Sequence, residues 1–469
     1  MLDILDNPTI PSEVYTDRVA GRTLLFNPQV GRGLVLVRER VNKILKLCTG
    51  ANSISAISVK TGYQPKEIIS VLGKLEQQGV VKFGGHKPDL KPSSKPPKLR
   101  AWIHTTNACN LNCSYCYIQK NGASMDIPTA RKSVEALFRV FALHPDFADW
   151  LLICLSGGEP LTNINVVKEI LQYSKQLSAQ TGVRRGIVLL TNGTIITPPI
   201  IDMIKKYDIG VSISIDGLRE FNKNRMFSGG KPAADIILKN IDLLIENGIY
   251  PFILTTITLE NLAGLRELTK YLMSKELSFR YSLLRDLATG YNISGHKDEV
   301  IETLNQCYDI IERLLPLRTR PFIHNFESLA LTNGCTRGCT IGVRYLAISH
   351  DGKVYLCHMD INRRPAVGSV DDIDILEKIR KQDVFPELTE SASVMAYDNC
   401  KECAWKFQCG GSCPMLTKLA KGRVNTSSPY CDIVQAVIPR LLRVKALNLI
   451  RREQLTLYKS KQSLPIASI

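Results

Sequence analysis

Three cysteines within eight residues constrain this chain more than any other feature. Cys109, Cys113 and Cys116 are spaced C-x3-C-x2-C and follow the alternating apolar run 99–106, which predicts a strand. Residues 109–116 are called the cysteine loop below. Thiolates at this spacing can hold three corners of an iron–sulfur cube and leave the fourth iron without a protein ligand. An open metal position is typical of a catalytic site, so the loop predicts a catalytic metal centre at a strand end.

The length of 469 residues exceeds one ordinary core, so several domains are expected. Apolar periodicity, linker composition and cysteine spacing divide the chain into six parts. They are a winged-helix-like domain at 1–84, a Pro/Lys-rich linker at 85–98, a barrel at 99–290, a helical bridge at 291–334, a cysteine-rich extension at 335–431, and an amphipathic helix and tail at 432–469, with a kink or break expected at Pro439.

Composition excludes several classes of protein. No apolar run approaches the roughly 20 residues that cross a bilayer, and the N-terminus lacks the basic and apolar regions of a signal peptide. We therefore expect a cytoplasmic protein without stable membrane association. Its 14 cysteines then argue for metal binding or catalysis rather than disulfides. The net charge of +16 is spread along the chain, so no nucleic-acid partner is expected.

The first 84 residues have the pattern of a winged helix-turn-helix. Strands are predicted at 22–26 and 33–37, followed by three helices and a closing strand at 80–83. Such a domain either binds DNA through its third helix or captures a peptide by adding it to a sheet edge. The third helix, 65–79, carries two lysines and two glutamates, which is a poor balance for DNA recognition.

Residues 99–290 alternate predicted strands and helices. Six βα units imply a parallel sheet, so we predict an α/β fold with a partial (β/α)6 TIM-like barrel. Ligands of such folds bind at the carboxyl ends of the strands. Four motifs fall at those ends: the cysteine loop after the first strand, Gly-Gly-Glu-Pro at 157–160, Thr-Asn-Gly at 191–193, and Ser-Ile-Asp-Gly at 214–217.

These motifs, in this order, resemble those of the radical S-adenosylmethionine (SAM) superfamily. The cysteine loop matches the C-x3-C-x2-C signature, and residues 157–160 match the GGEP motif. The resemblance implies that SAM chelates the open iron, that the GGEP motif contacts its methionine amino group, and that Tyr115 lies against the adenine. Arg225 either pairs with a carboxylate of SAM or substrate or is a surface arginine. The predicted SAM-binding residues are Tyr115, Gly157, Gly158, Glu159, Pro160, Asn192, Ser214, Asp216 and Arg225.

A second group of eight cysteines lies between residues 335 and 431. Eight thiolates suffice for two fully ligated iron–sulfur clusters, but four-thiolate zinc sites use similar spacing, so spacing alone leaves both open. The order of the cysteines resembles the SPASM extension of radical SAM maturases, which implies three [4Fe–4S] clusters in all. By this resemblance Cys335, Cys339, Cys357 and Cys413 hold an inner cluster, and Cys400, Cys403, Cys409 and Cys431 an outer one. The remaining thiols, Cys48, Cys154 and Cys307, are predicted to be packed in the core.

Residues 1–84 resemble the precursor-recognition (PqqD-like) domain of ribosomal-peptide maturases. The combined resemblance implies a peptide-modifying oxidoreductase whose 5′-deoxyadenosyl radical abstracts a hydrogen from a precursor peptide, with the leader bound by the N-terminal domain. An electron donor such as flavodoxin or ferredoxin is implied. We expect an intramolecular C–C or thioether crosslink; backbone excision to a β-amino acid and epimerisation use the same chemistry.

Two further functions remain as alternatives. In sulfatase-type (formylglycine) maturases, an aspartate that acts as a base directly follows the G-x4-C cysteine. This chain has His358 at that position, and Asp360 lies two residues further on. The candidates for a general base are His358, Asp360 and Arg285, chosen from position alone. An iron–sulfur redox sensor that binds DNA would combine the winged helix with clusters, but it would have no need of the GGEP motif.

Iron content and SAM cleavage separate the redox sensor from both enzyme functions. We expect anaerobic reconstitution to load about twelve irons per chain and the protein to cleave SAM to 5′-deoxyadenosine. Iron and zinc are measured by plasma emission spectroscopy, and the nucleoside by chromatography. Zinc bound by the C-terminal cysteines would contradict the three-cluster model.

Overall fold

The computed structural model of this chain describes seven stretches, with side chains described as far as residue 454. They are residues 2–30, 33–84, 98–147, 149–285, 293–331, 334–388 and 392–462. The predicted linker, apart from residue 98, and the tail beyond 462 lie outside the described residues. None of the helices in these stretches is long and apolar enough to cross a membrane.

The N-terminal unit, residues 2–84, combines a small sheet with three helices. Its elements are β1 (Pro8–Thr9), β2 (Tyr15–Val19), β3 (Arg22–Phe26), β4 (Val35–Val37), α1 (Glu39–Leu45), α2 (Ile54–Thr61), α3 (Pro65–Gln77) and β5 (Lys82–Phe83). The Ser53 hydroxyl caps α2, and Gly62 ends that helix with φ of 72°. The closing strand β5 pairs with β1, while β2, β3 and β4 form a separate antiparallel sheet in that order.

Residues 98–285 form the predicted barrel, and the predicted fold class is confirmed. The elements are β6 (Leu99–His104), α4 (Ile127–Leu143), β7 (Trp150–Ser156), α5 (Ile164–Thr181), β8 (Arg184–Thr191), α6 (Pro198–Tyr207), β9 (Ile209–Ser214), α7 (Ala234–Glu246), β10 (Phe252–Ile257), α8 (Leu265–Ser274) and β11 (Phe279–Leu283). All six strands are parallel to their neighbours in chain order.

Alternation along these strands separates the core from the barrel interior. Successive side chains of a strand point to opposite faces. One face of β6 and β7 carries Leu99, Ile103 and Ile153, which are fully buried in the main core with the helices. The other face carries Trp102 and Ser156, which line a central cavity. The cavity is thus a direct result of a period-two pattern in the sequence.

The sheet continues beyond the predicted barrel at both edges. The remaining elements are α9 (Lys297–Leu314), β12 (His324–Phe326), β13 (Tyr345–Ile348), β14 (Lys353–Tyr355), β15 (Gly368–Ser369), α10 (Ile375–Arg380), α11 (Lys406–Cys409), α12 (Pro414–Lys421) and α13 (Cys431–Gln462). Strand β12 extends one edge beside β11, and β13 pairs in parallel with β6 at the other, followed by β14 and β15. The cysteine-rich region therefore shares a ten-stranded sheet with the barrel.

The last helix, α13, continues through Pro439, so the predicted break is absent, while a kink there stays a prediction. Proline in a helix interior removes one hydrogen bond and costs about 3 kcal/mol. Here the buried side chains Ile438, Leu441 and Leu442 flank the proline within the main core. Arg440 and Arg443 on the same helix pair with Glu312 of α9. Packing against α9 offsets the cost of the proline.

The N-terminal unit docks on the cysteine-rich region and on α13. The ring of Trp405 packs edge-on against Tyr15 at 5.7 Å and stacks with Phe26 at 6.4 Å between ring centroids. Glu453 of α13 pairs with both Arg22 (2.5 Å) and Arg38 (2.9 Å). One aromatic side chain, on the loop between two predicted cluster ligands, thus holds the sheet of the N-terminal unit.

We expect Trp405→Ala to loosen this docking. Removal of a large aromatic side chain from an interface costs about 2 kcal/mol or more, because its buried area and ring contacts are lost. Amide hydrogen exchange in β2 and β3 should therefore accelerate at least about tenfold. Trp150→Ala, which removes a partly buried tryptophan from β7, is the matched control. Equal exchange rates in the two variants would contradict this account of the docking.

Candidate active site

The cysteine loop is held by a neighbouring segment of backbone. Asn112 N–H donates to the Met226 carbonyl at 2.7 Å, and Ser114 N–H donates to the Asn224 carbonyl at 3.1 Å. The three cysteines are partly buried, and all three line the central cavity, whose volume is about 280 Å³. This cavity opens at the carboxyl ends of the strands, as predicted.

Two glycines bring the end of β7 against the cysteine loop. Gly158 N–H donates to the Thr106 carbonyl at 2.8 Å, and Glu159 N–H donates to the Ala108 carbonyl at 2.8 Å. Gly157 has φ of 140°, and a Cβ on either glycine would collide with the carbonyl oxygens of Thr106 and Ala108. Both glycines line the cavity. Their first role is therefore to allow this close backbone contact.

Glu159 is one of the predicted SAM-binding residues, but the structure gives its side chain a different role. Its side chain is fully buried and does not line the cavity. One carboxylate oxygen accepts from Leu161 N–H and the Thr191 hydroxyl, and the other accepts from Asn192 N–H at 2.7 Å. Burial raises the pKa of Glu159 to about 7, and these hydrogen bonds oppose the rise. Glu159 thus ties the end of β7 to the end of β8; Pro160 is also buried and begins the short turn Pro160–Asn163.

The end of β8 presents Asn192 to the cavity. Its amide donates to the Asn110 side chain at 2.9 Å and lies 3.8 Å from the sulfur of Cys109. Ser214, at the end of β9, lines the same cavity. The predicted SAM-binding side chains Asn192 and Ser214 are therefore brought together with the cysteine loop.

A buried ion pair lies in the cavity wall, with the carboxylate of Asp216 behind the guanidinium of Arg225. Asp216 is fully buried and accepts from Arg225 Nε at 2.8 Å, from the Tyr115 hydroxyl, and from Thr256 N–H at 3.0 Å. The Arg225 guanidinium lies over the Tyr115 ring at 5.5 Å and 3.9 Å from the sulfur of Cys113. Arg225 is buried, which excludes its interpretation as a surface arginine. The pair fixes the ring predicted to face the adenine.

The three candidate bases occupy different surroundings. His358 lines the cavity, stacks on Trp102 at 4.3 Å, and its Nδ1 lies 2.7 Å from the Tyr345 hydroxyl. Burial lowers the pKa of His358 well below 6.5, so the ring is neutral. Asp360 lies outside the cavity lining, 3.5 Å from Arg364, and burial raises its pKa to about 6.

Arg285 is not a general base, so this predicted candidate is wrong. Its guanidinium lines the cavity and pairs with the buried carboxylate of Glu327, which also accepts from Leu283 N–H at 2.5 Å. Arginine stays protonated in proteins and cannot accept a proton. Glu327 moreover raises its pKa further above the usual range. Arg285 can therefore only bind or orient.

Seven of the eight C-terminal cysteines fall into two groups. The predicted outer ligands, Cys400, Cys403, Cys409 and Cys431, line one small cavity. Burial and two neighbouring thiols, Cys413 and Cys339, raise the pKa of Cys357, which puts three predicted inner ligands together. The fourth, Cys335, donates its N–H to the Phe407 carbonyl and lies near Gly410. Its assignment to the inner cluster stays a prediction.

These donor sets fit the iron–sulfur clusters that the sequence predicts. In the described part of the chain no group of three or more His, Cys, Asp or Glu side chains could hold a single metal ion. In a four-iron cluster each iron takes its own thiolate, so the thiolates need not meet at one point. The three thiols outside both sets, Cys48, Cys154 and Cys307, are buried, as predicted.

Several cavity residues were not predicted. Trp102 and Arg280 line the cavity from β6 and β11, and Tyr117 and Lys120 line it from the segment after the cysteine loop. Alternation along β6 and β11 is the signal that could have found the first two, since both occupy the face opposite the apolar core. Tyr117 and Lys120 follow no periodic pattern.

Comparison with known families decides the class of this site. The model of the radical SAM superfamily matches residues 103–272, and that of the SPASM iron–sulfur cluster-binding domain matches residues 339–404. The chain carries a radical SAM domain and a SPASM domain. It is therefore a radical SAM enzyme, and its two domains imply [4Fe–4S] clusters and SAM as cofactors.

Curated relatives of this radical SAM enzyme differ in how much they share with it. An uncharacterized protein of Methanocaldococcus jannaschii is 36% identical over 181 residues, which is 38% of this chain and 60% of that protein. The AdoMet-dependent heme synthase of Methanosarcina barkeri is 27% identical over 71% of this chain and 96% of its own length. The radical SAM cyclopropyl synthase TigE of Paramaledivibacter caminithermalis is 22% identical over 87% of this chain and 90% of its own length.

Solved structures share the fold. Native anSMEcpe with bound AdoMet has a TM-score of 0.62 at 18% identity and covers 75% of this chain and 100% of its own. Streptococcus suis SuiB bound to the precursor peptide SuiA has a TM-score of 0.51 at 15% identity. The match covers 90% of this chain and 99% of SuiB.

We expect Asp216→Asn to destabilise the radical SAM domain by roughly 3–5 kcal/mol, because it leaves the Arg225 charge buried without a partner. SAM should also bind more weakly, since Tyr115 loses its anchor. Denaturant unfolding and equilibrium dialysis of SAM, both anaerobic, measure the two effects. Asp242→Asn breaks an exposed pair with Lys275 and should cost at most about 1 kcal/mol. Equal losses in both variants would refute the structural role of the buried pair.

Proposed function

We propose that this radical SAM enzyme matures a ribosomally made precursor peptide by forming an intramolecular C–C or thioether crosslink. The observation that carries the proposal is the N-terminal unit, docked on the SPASM domain with one edge of its sheet free. Among the described strands, β4 pairs only with β3. A small-molecule enzyme has no use for such a unit, whereas a leader peptide can be captured there.

The free edge of β4 suits an extended peptide. An edge strand presents unpaired N–H and C=O groups, and a peptide that adds as a further strand satisfies them. The opposite edge of the sheet, β2, packs against α13, and its Asp17 pairs with Arg443 at 2.7 Å. The leader is therefore proposed to pair with β4, as an N-terminal recognition domain would require.

Coverage of the solved structures supports this proposal. The match to SuiB extends over 90% of the chain and that to anSMEcpe over 75%. The difference of 15% is about 70 residues, close to the length of the N-terminal unit. SuiB was determined with a bound precursor peptide.

The proposed division of labour follows from the cavity. The bound cluster and SAM supply the radical that removes a hydrogen from the peptide. The chain holds the cysteine loop through Gly157 and Gly158, orients Tyr115 through the Asp216–Arg225 pair, and shields the site from water. Three [4Fe–4S] clusters on the eleven predicted cysteines, and an electron donor such as flavodoxin or ferredoxin, belong to the proposal.

Haem synthesis is a second candidate. It is favoured by the 27% identity over 96% of the Methanosarcina barkeri heme synthase. That match covers 71% of this chain, so part of the chain has no counterpart in the haem enzyme. A sulfatase-type activity is disfavoured because His358 occupies the position of the aspartate that acts as base in those maturases, and burial lowers its pKa and so makes it a weaker base. The docked N-terminal unit favours a peptide substrate over haem synthesis.

Co-expression tests the proposed function. The enzyme is produced with the peptide encoded by the neighbouring short open reading frame, and mass spectrometry follows the hydrogens that a crosslink removes. Deletion of the leader should lower crosslinking at least about tenfold, because the peptide loses its attachment to the edge strand. The full-length precursor should slow amide exchange in β4 and leave the β1–β5 pair unchanged. Crosslinking that proceeds equally well without the leader would refute the role of the N-terminal unit.

A further inference from the structure

Arg280 is a cation in the cavity wall without a carboxylate partner. It lies on β11, on the strand face that lines the cavity. In the described part of the chain no carboxylate pairs with its guanidinium, and its buried Nε has no hydrogen-bond partner. A buried polar group without a partner costs free energy, and a charged one costs more. The fold therefore carries an uncompensated charge at this point.

Each of the other lysines and arginines that line the cavity has a partner. Arg225 pairs with Asp216, and Arg285 pairs with Glu327. Lys120 donates to the Leu111 carbonyl and to the Asn112 side chain. Among the described residues that line the cavity there is no aspartate or glutamate. Arg280 is thus the cation that a ligand would have to neutralise.

The surroundings of Arg280 add to the imbalance. Burial lowers its pKa, and the neighbouring charge of Arg285 lowers it further. Arginine nevertheless stays protonated in proteins. Glu327 is the one acid that acts appreciably on Arg280, but its oxygens already bind Arg285 and Leu283 N–H. The described residues offer no further anion.

We propose that Arg280 binds a carboxylate of the substrate inside the barrel. The proposal adds a substrate-binding residue to the proposed function. It rests on that function in one respect, namely that the carboxylate belongs to a peptide. A guanidinium presents parallel N–H donors that match the two oxygens of a carboxylate, and such charge-assisted pairs are the strong ones. The carboxylate has two sources in a peptide: an acidic side chain or the C-terminus.

Neither cofactor accounts for the charge of Arg280. The thiols of Cys413 and Cys357, which are predicted cluster ligands, act on Arg285. The thiol that acts most on Arg280 is Cys154, which belongs to neither predicted ligand set. The predicted SAM contacts lie on the cysteine loop and at or after the ends of β7, β8 and β9, and Arg280 on β11 is not among them. A separate anion is therefore needed for Arg280.

Binding of short peptides tests the assignment without turnover. Three acetylated pentapeptides are titrated by calorimetry into the anaerobically reconstituted full chain: one with a central glutamate and an amidated C-terminus, its amidated glutamine counterpart, and the glutamine peptide with a free C-terminal carboxylate. SAM is present throughout, so that its own carboxylate is already bound. The variants are Arg280→Gln, Arg280→Lys and, as matched control, Arg313→Gln, which removes an exposed arginine of α9.

We expect one carboxylate peptide to bind about tenfold or more tightly than the amidated glutamine peptide. Arg280→Gln should abolish the difference, Arg280→Lys should keep part of it, and Arg313→Gln should keep all of it. A preference for the glutamate peptide identifies a side chain as the source, and a preference for the free acid identifies the C-terminus. Absence of any preference, or a preference that persists in Arg280→Gln, overturns the proposal.

A second measurement needs no variant. Phenylglyoxal modifies arginine side chains, and peptide mapping by mass spectrometry follows Arg280 in the wild-type chain. The preferred carboxylate peptide should protect Arg280 and leave Arg313 unprotected, whereas equal modification with and without it would overturn the assignment. Leader-dependent crosslinking plays no part in either measurement, so failure of the proposed function and failure of the carboxylate site give different results.

Discussion

The contact between two glycines and the backbone that leads into the cysteine loop is the constraint on which the site depends. Gly157 and Gly158 bring the end of β7 so close to Thr106 and Ala108 that no side chain fits between them. Hydrogen bonds across this contact fix the position of the loop. The neighbouring carboxylate of Glu159 accepts a hydrogen bond from Asn192 N–H and so ties the same region to the end of β8. Three strand ends are thereby held as one rigid rim around the cavity.

Buried acids support this rim without facing the cavity. Asp216 and Glu327 each pair with an arginine that does face it, and Glu159 binds backbone and hydroxyl groups. Negative charge is thus kept behind the wall while positive charge lines it. Attraction between buried opposite charges offsets the cost of removing them from water only when further hydrogen bonds satisfy the remaining lone pairs, and each acid accordingly has several donors. The cavity presents cations because its acids are occupied.

The sequence predicts the barrel well, because the period of two along each strand and the order of the strand-end motifs are local patterns. It also predicts which cysteines line the central cavity. Other features depend on contacts between distant segments and have no local signal: β13 pairs with β6, Trp405 contacts Tyr15 and Phe26, and Arg280 pairs with no carboxylate among the described residues. The role of Glu159 has no local signal either, since its three donors come from two different strand ends.

The parallel pairing of β13 with β6 has a consequence for truncated chains. β6 carries the cysteine loop, and one of its two edges is covered only by β13. A chain that ended before residue 335 would expose the backbone donors and acceptors of that edge beside an apolar core, the arrangement that promotes strand-to-strand aggregation. Removal of the SPASM domain would therefore impair solubility and folding before any effect on electron transfer could be observed, and the two domains must be treated as one folding unit.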